Sequence, residues 1–275
     1  MNNLIQFKRD TKQKSDKLHL DQYYTPTKLA KYCIDKTFSI IGREKITEII
    51  DPSAGNGSFS LQIPNCIAYD IDPKHDSIIE QDFLTLNCIY KSGRLFITNP
   101  PFGARNFLAE KFFKKAILLG DFVVYILPIS QLNNTQRLYE FDLIHSEDLK
   151  SIPFSDRQVN CCFNIYCRPK NGLNKKIKIC LKSIRIEEVR CNSRKIINYD
   201  LAINAWGSSI GKILSSNDKY AKVFYISILE KRYYNEILKV LHEANWQKIY
   251  LMTSTPNLLQ WQVFQHLKNN IPGIE

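Results

Sequence analysis

Nearly continuous apolar runs at 46–50, 66–70, 94–98 and 122–127, with a weaker one at 78–81, constrain this chain more than any other feature. Strands that do not alternate apolar with polar are buried on both faces, and such strands belong to parallel sheets covered by helices. Helical periodicity is present as well. Positions 27–38 set Leu29, Tyr32, Cys33 and Lys36 along one side. Positions 107–119 supply Leu108, Phe112, Ile117, Leu118 and Leu119 as core candidates, with Gly120 as the helix stop. A further strand is expected at 158–166, hairpin-paired with the segment before it. The fold expected is α/β: a Rossmann-like core with a mostly parallel sheet and a small C-terminal α+β appendage. Ligands of open α/β sheets bind beyond the carboxyl ends of the strands, so the residues after each run are where chemistry is sought.

After 94–98 stands Asn99-Pro100-Pro101-Phe102. These residue types suit one task, holding a planar NH2 group whose lone pair is delocalised into an adjacent π system. The Asn99 side-chain oxygen and the Pro100 carbonyl can accept its two N–H bonds. The prolines restrict the backbone and remove competing N–H groups. Phe102 can stack on the ring that carries the amine. After 46–50 comes Asp51-Pro52-Ser53-Ala54-Gly55-Asn56-Gly57, a strand-end acid followed by a Gly-x-Gly turn that lets backbone approach a ligand. The run at 66–70 ends in Asp70-Ile71-Asp72-Pro73, at the spacing from that turn where a carboxylate takes ribose hydroxyls. Gln81-Asp82-Phe83-Leu84 offers a carboxylate beside an aromatic, enough to bind an adenine amine and cover its face. Upstream, Asp21-Gln22-Tyr23-Tyr24-Thr25-Pro26 opens a helix, with Thr25 as cap and Pro26 at the first helical position.

Taken in this order, the stretches resemble the motifs of S-adenosylmethionine-dependent DNA adenine-N6 methyltransferases in the gamma arrangement, among them small stand-alone enzymes of phages, large DNA viruses and bacteria. The resemblance runs from about Leu20 to Lys170 and thins beyond, matching only loosely near Asp200 to Lys212. It implies a methyltransferase core, S-adenosylmethionine as cofactor and double-stranded DNA as partner, and it allows for a cognate restriction endonuclease. It implies that Asp51 lies near the amino-acid end of the cofactor, in the turn with Ser53, Gly55 and Gly57. Asp70 takes the ribose, Asp82 and Phe83 the adenine, and Tyr24 and Thr25 the methionine portion, with Asn99 close to the transferred methyl. Each acid could equally be a strand-end turn former, and Asp72 competes with Asp70. Asn99, Pro100, Pro101 and Phe102 would hold a flipped adenine. The family's second stacking aromatic, five residues before a strand valine, falls here on Phe154 before Val159, where an ordinary hairpin aromatic is the competing reading. An RNA adenine methyltransferase, a protein glutamine methyltransferase and a decayed enzyme that only binds nucleic acid are the alternatives.

Charge bears on the partner. Lys and Arg number 38 against 27 Asp and Glu, a formal net charge of +11. The stretch 168–200 holds ten cations and three acids, with Lys175, Lys176 and Lys178 as phosphate-binding candidates. Lys8, Arg9, Lys12, Lys14 and Lys17 suggest a basic N-terminal arm. The organisation expected is therefore an arm at 1–19, a catalytic domain at 20–170 and a basic recognition region at 171–275. In that last region 176–186 and 221–229 read as strands, 233–246 and 257–267 as helices, and Asn204 to Lys212 as an unusual Gly-rich segment. Eight cysteines lack any Cys-x-x-Cys, so free thiols in a reducing compartment are expected, with no structural metal. The sequence shows no signal pattern and no apolar run long enough to span a membrane, and a cytoplasmic or virus-associated location is the expectation.

Overall fold

The computed structural model describes residues 24–103, 106–154, 157–190, 196–215, 218, 220–246 and 256–275. The proposed N-terminal arm and Asp21 to Tyr23 lie outside them. The chain divides into two compact units, Met1–Lys176 and Ile177–Glu275.

The first unit is built on a seven-stranded sheet. Its strands are β1 (Glu48–Asp51), β2 (Ile67–Asp70), β3 (Ile79–Glu80), β4 (Arg94–Thr98), β5 (Phe122–Pro128), β6 (Asp142–Phe154) and β7 (Arg157–Cys167). The strand order is β3-β2-β1-β4-β5-β7-β6. β1 to β5 pair in parallel, while β7 runs antiparallel to β5 and forms a hairpin with β6. The fold is thus Rossmann-like, a mostly parallel sheet whose chain order reverses between β1 and β4. Two helices cover opposite faces, α1 (Thr27–Ile41) and α2 (Phe107–Leu119). Period-two alternation sorts the strand residues between them. Leu95, Ile97, Val124, Ile126, Phe163 and Ile165 pack with Ala30, Cys33 and Ile34 of α1. On the other face Phe113 of α2 meets Tyr125, Phe141 and Tyr166 edge-on. Each wholly buried aromatic of this kind contributes about 1.5–3 kcal/mol of burial.

The element ends refine several expectations. Pro26, not Thr25, is the residue before α1, and α1 has no side-chain cap. Gly120 ends α2 with an extended backbone, φ −159°, rather than a left-handed one. It must still be glycine for a packing reason, because a Cβ there would lie 2.6 Å from the Arg94 carbonyl oxygen. The run at 78–81 contributes only the two-residue, exposed edge strand β3.

The second unit contains an antiparallel sheet ordered β8-β10-β9, from β8 (Ile184–Arg190), β9 (Leu201–Asn204) and β10 (Lys222–Ile228). α3 (Tyr234–Glu243) and α4 (Gln260–Asn270) complete its core around Ile203, Phe224, Ile226, Ile237, Leu241 and Leu267. Of the strand expected at 176–186 only Ile184 to Ile186 is extended into the sheet; the charged, exposed 175–178 has no ladder partner. Among the described residues, seven cysteines are free thiols, and no helix is long and apolar enough to cross a membrane.

Candidate active site

β1 and β4 are neighbours whose connections leave in opposite directions, so their carboxyl ends open a crevice at the switch point. A cavity of about 270 Å³ sits there, of small-molecule scale. Tyr24, Thr25, Ser53, Gly55, Asp70, Asp82, Phe83, Asn99 and Pro101 all line it. Residues nearly eighty apart in sequence therefore share one wall system.

The backbone explains the shape. Gly55 has φ +55°, and a Cβ there would stand 2.9 Å from the Tyr24 ring. Its N–H donates to Asp70 Oδ2 at 2.7 Å, while Asp70 Oδ1 accepts from the Asp72 N–H at 2.8 Å. Asp70 is thus locked by two backbone donors at the cavity wall. Asp72 also lines the cavity, but it pairs with Lys74 at 2.5 Å on the half-exposed rim. Asp82 caps the short turn that follows it, accepting from the Leu84 N–H at 2.8 Å with one oxygen. Thr25 is buried, and its Oγ1 has no hydrogen-bond partner among the described residues, which marks a polar atom suited to meeting a ligand.

The apolar wall was only partly legible. Phe83 is 1% exposed and tilts against Phe96 and Phe112, at 5.5 and 5.3 Å between ring centroids, so it is more a core residue than a free stacking face. Leu84, Leu108 and Phe112 share the wall with it. The last two were readable only as core positions of α2, because helical periodicity cannot say which buried side chain faces a cavity.

Other expected residues stand elsewhere. Asp51 does not line the cavity: it is 1% exposed, beneath the turn, and accepts from the Ser53 N–H at 3.4 Å. Burial pushes its carboxyl up to about 7, against hydrogen bonds from Thr98, Ser53 and Ser60 that pull it down. Gly57 shapes the turn at φ +82°, its N–H donating to the Ala54 carbonyl at 2.7 Å. Pro100 is buried, and Phe102 is half-buried beside the cavity lining, its carbonyl accepting from the Leu108 N–H at 3.1 Å. Phe154 stands away from this cavity. It is 0% exposed in the α1-side core with Ile152, Cys161 and Phe163, because strand alternation turns it inward. It packs the hairpin and is not a wall of this cavity. Lys175, Lys176 and Lys178 are exposed, with Lys176 5.9 Å over the Tyr139 ring. The basic stretch is less uniform than its composition: Arg168 pairs with Asp121 at 2.8 Å, Arg185 with Glu187 at 3.4 Å and Arg190 with Glu188 at 2.6 Å.

The arrangement offers carboxylates for hydroxyls and amines, a close-approach glycine turn, an apolar wall and an Asn-Pro-Pro edge. No family model matches the chain. Two Type II methyltransferases, M.HincII of Haemophilus influenzae and M.HindII of its strain Rd, are each 34% identical to it over 79 residues, 26% of this chain. The match spans only 15% and 14% of their respective lengths. Among solved structures, a candidate RNA methyltransferase from Pyrococcus horikoshii superposes with a TM-score of 0.44 at 19% identity, over 55% of this chain and 88% of its own. Magnesium protoporphyrin IX methyltransferase of Synechocystis, solved with bound S-adenosylmethionine, does so at 0.36 and 11% identity, over 52% and 77%.

Proposed function

We propose that this chain is an S-adenosylmethionine-dependent methyltransferase acting on the N6 amine of adenine in double-stranded DNA. The observation that carries the reading is that Asn99 and the turn Pro52 to Gly55 face one cavity at the sheet's switch point. The Type II relatives, whose shared stretch is short, support methyl transfer and favour DNA over RNA.

S-adenosylmethionine fits the donor set of the cavity. Of the residues lining the cavity, Asp70 would hold the ribose hydroxyls and Asp82 the adenine amine, with Leu84 and Phe83 as the apolar wall beside the ring. Tyr24 and the buried Thr25 hydroxyl would meet the methionine portion, and Gly55 would allow the backbone approach. When bound, the cofactor supplies a methyl carbon attached to a positively charged sulfur. The chain's own residues do the rest by positioning and electrostatics. The Asn99 carboxamide oxygen and the Pro100 carbonyl accept the two N–H bonds of the target amine and aim its lone pair. Phe102 covers one face of the extruded base, which must leave the duplex to be reached. The amine becomes acidic only as its new bond forms, so its proton passes late, to the Asn99 oxygen or to water, without a dedicated base. The exposed Lys175, Lys176 and Lys178 bind phosphates, and the second unit serves as the recognition region.

Tritiated S-adenosylmethionine offered in parallel to unmethylated phage DNA, structured RNA and protein, followed by nucleoside analysis, tests the reading. Label in N6-methyladenine of DNA is expected. Label confined to RNA or protein, or to another base, overturns the substrate assignment.

A further inference from the structure

The cavity's two sides are joined below its floor by hydroxyl groups that the proposed chemistry does not use. The β1–β4 ladder makes its last pair at Ile50 and Phe96, and the two strands then carry the donor turn and Asn99 respectively. Beyond that pair, side chains take over. Thr98, 1% exposed, places Oγ1 2.8 Å from Ser53 Oγ and 3.3 Å from the Ser53 carbonyl oxygen. Ser53 Oγ lies 3.4 Å from the main-chain carbonyl of Asn99. Thr98, Ser53 and the Asn99 backbone thus make one polar chain across the switch point, with the Asp51 carboxylate accepting from the Ser53 N–H beside it.

We infer that Thr98 is a positioning residue for methyl transfer, its hydroxyl setting the Asn99 carboxamide relative to the turn that holds the methyl donor. The inference rests on the methyltransferase reading above. The hydroxyl matters because Thr98 Oγ1 and Ser53 Oγ share a hydrogen bond across the switch point, and Ser53 Oγ also donates to the Asn99 main-chain carbonyl. Valine has the shape of threonine but cannot bond to Ser53, so it would remove this side-chain link between the donor turn and the residue that precedes Asn99.

Steady-state kinetics on the full chain tests this with Thr98→Val, Thr98→Ser, Ser53→Ala and the Thr98→Val/Ser53→Ala double variant. Misplacement of a reacting group by under an ångström predicts that Thr98→Val lowers kcat about ten- to a hundred-fold. KM for S-adenosylmethionine should stay at its wild-type value. Thr98→Ser, which keeps the hydroxyl, should recover most of the loss. Because the two residues act through one bond, the double variant should be no slower than the slower single one. Wild-type kcat in Thr98→Val, or losses that multiply in the double variant, overturns the inference. If Thr98→Val does not fold, Thr98→Ala decides by the same split between kcat and KM. Wild-type protein that transfers no methyl group to any acceptor overturns the methyltransferase reading instead, so the two failures are distinguishable.

Discussion

Asn99 and Asp70 line the same cavity yet should fail differently when altered. On the proposed reading, Asn99→Ala should abolish most turnover while leaving S-adenosylmethionine affinity intact, because the lost carboxamide would face the target amine. Asp70→Ala should weaken that affinity by about 1.5–3 kcal/mol, the scale of a charge-assisted hydrogen bond, as read by calorimetry. It should also loosen the Gly55 turn, since Asp70 Oδ2 takes the Gly55 N–H. Asp51 gives a third residue-scale expectation, on stability. Its folded pKa, pushed up to about 7 by burial, lies above the ordinary 3.8 of an unfolded chain. The folded state therefore binds the extra proton between these values. The associated stability is complete below the unfolded value and lost as pH rises toward 7. Asp51→Asn should lack that loss, so its stability relative to wild type should rise between pH 4 and pH 7 in denaturant titrations. A constant difference across that window would contradict the assignment.

At the scale of elements, the β6–β7 hairpin is a structural device that closes the sheet. Residues 142–154 and 157–167 pair along nearly their whole length, with irregularities near Leu143 and Asp148. Its inward face supplies Ile152, Phe154, Cys161 and Phe163 to the core beneath α1. Phe154→Ala should accordingly cost about 3–5 kcal/mol of stability, the range for a buried Phe truncation. Equilibrium unfolding measures that cost. In the fraction that remains folded, S-adenosylmethionine binding should be unchanged, because Phe154 does not line the cavity. α2 joins both roles. Phe113 fixes it to the sheet, while Leu108 and Phe112 reach the cavity, so the helix that follows the Asn-Pro-Pro-Phe segment also walls the site.

On the scale of the whole molecule, the excess of positive charge is spread over both units, and part of it is already committed. Arg168, for example, donates to the Gly120 carbonyl at 2.9 Å, pairs with Asp121, and lies 5.0 Å over the Phe141 ring. The exposed lysines of 175–178 are better placed for phosphate. Neutralising Lys175, Lys176 and Lys178 together should weaken duplex binding irrespective of sequence. It should also flatten the log–log salt dependence by about 0.9 for each phosphate that the protein no longer neutralises. Filter binding across a salt series would reveal it, with S-adenosylmethionine affinity as the unaffected control. An unchanged slope would remove these lysines from the interface.

The sequence by itself determined the sheet's parallel strands and the loops at their carboxyl ends that line the cavity. Continuous apolar runs and strand-end acids, glycines and prolines are local signals, set by burial on two faces and by backbone freedom. From them Asn99, Asp70, Asp82 and the Ser53–Gly55 turn were all legible, and the structure brings them into one cavity. Only the tertiary structure decided which of two similar residues faces the cavity and which lies beneath it. Asp51 and Asp70 both end strands after apolar runs, yet one is wholly buried and the other lines the wall. Phe154 has the spacing of a stacking aromatic but is turned into the core. Thr98 carries no motif signal, and its place in the polar chain depends on Ser53, 45 residues away. Orientation about a strand and packing across a switch point are non-local, and no local pattern of residues encodes them.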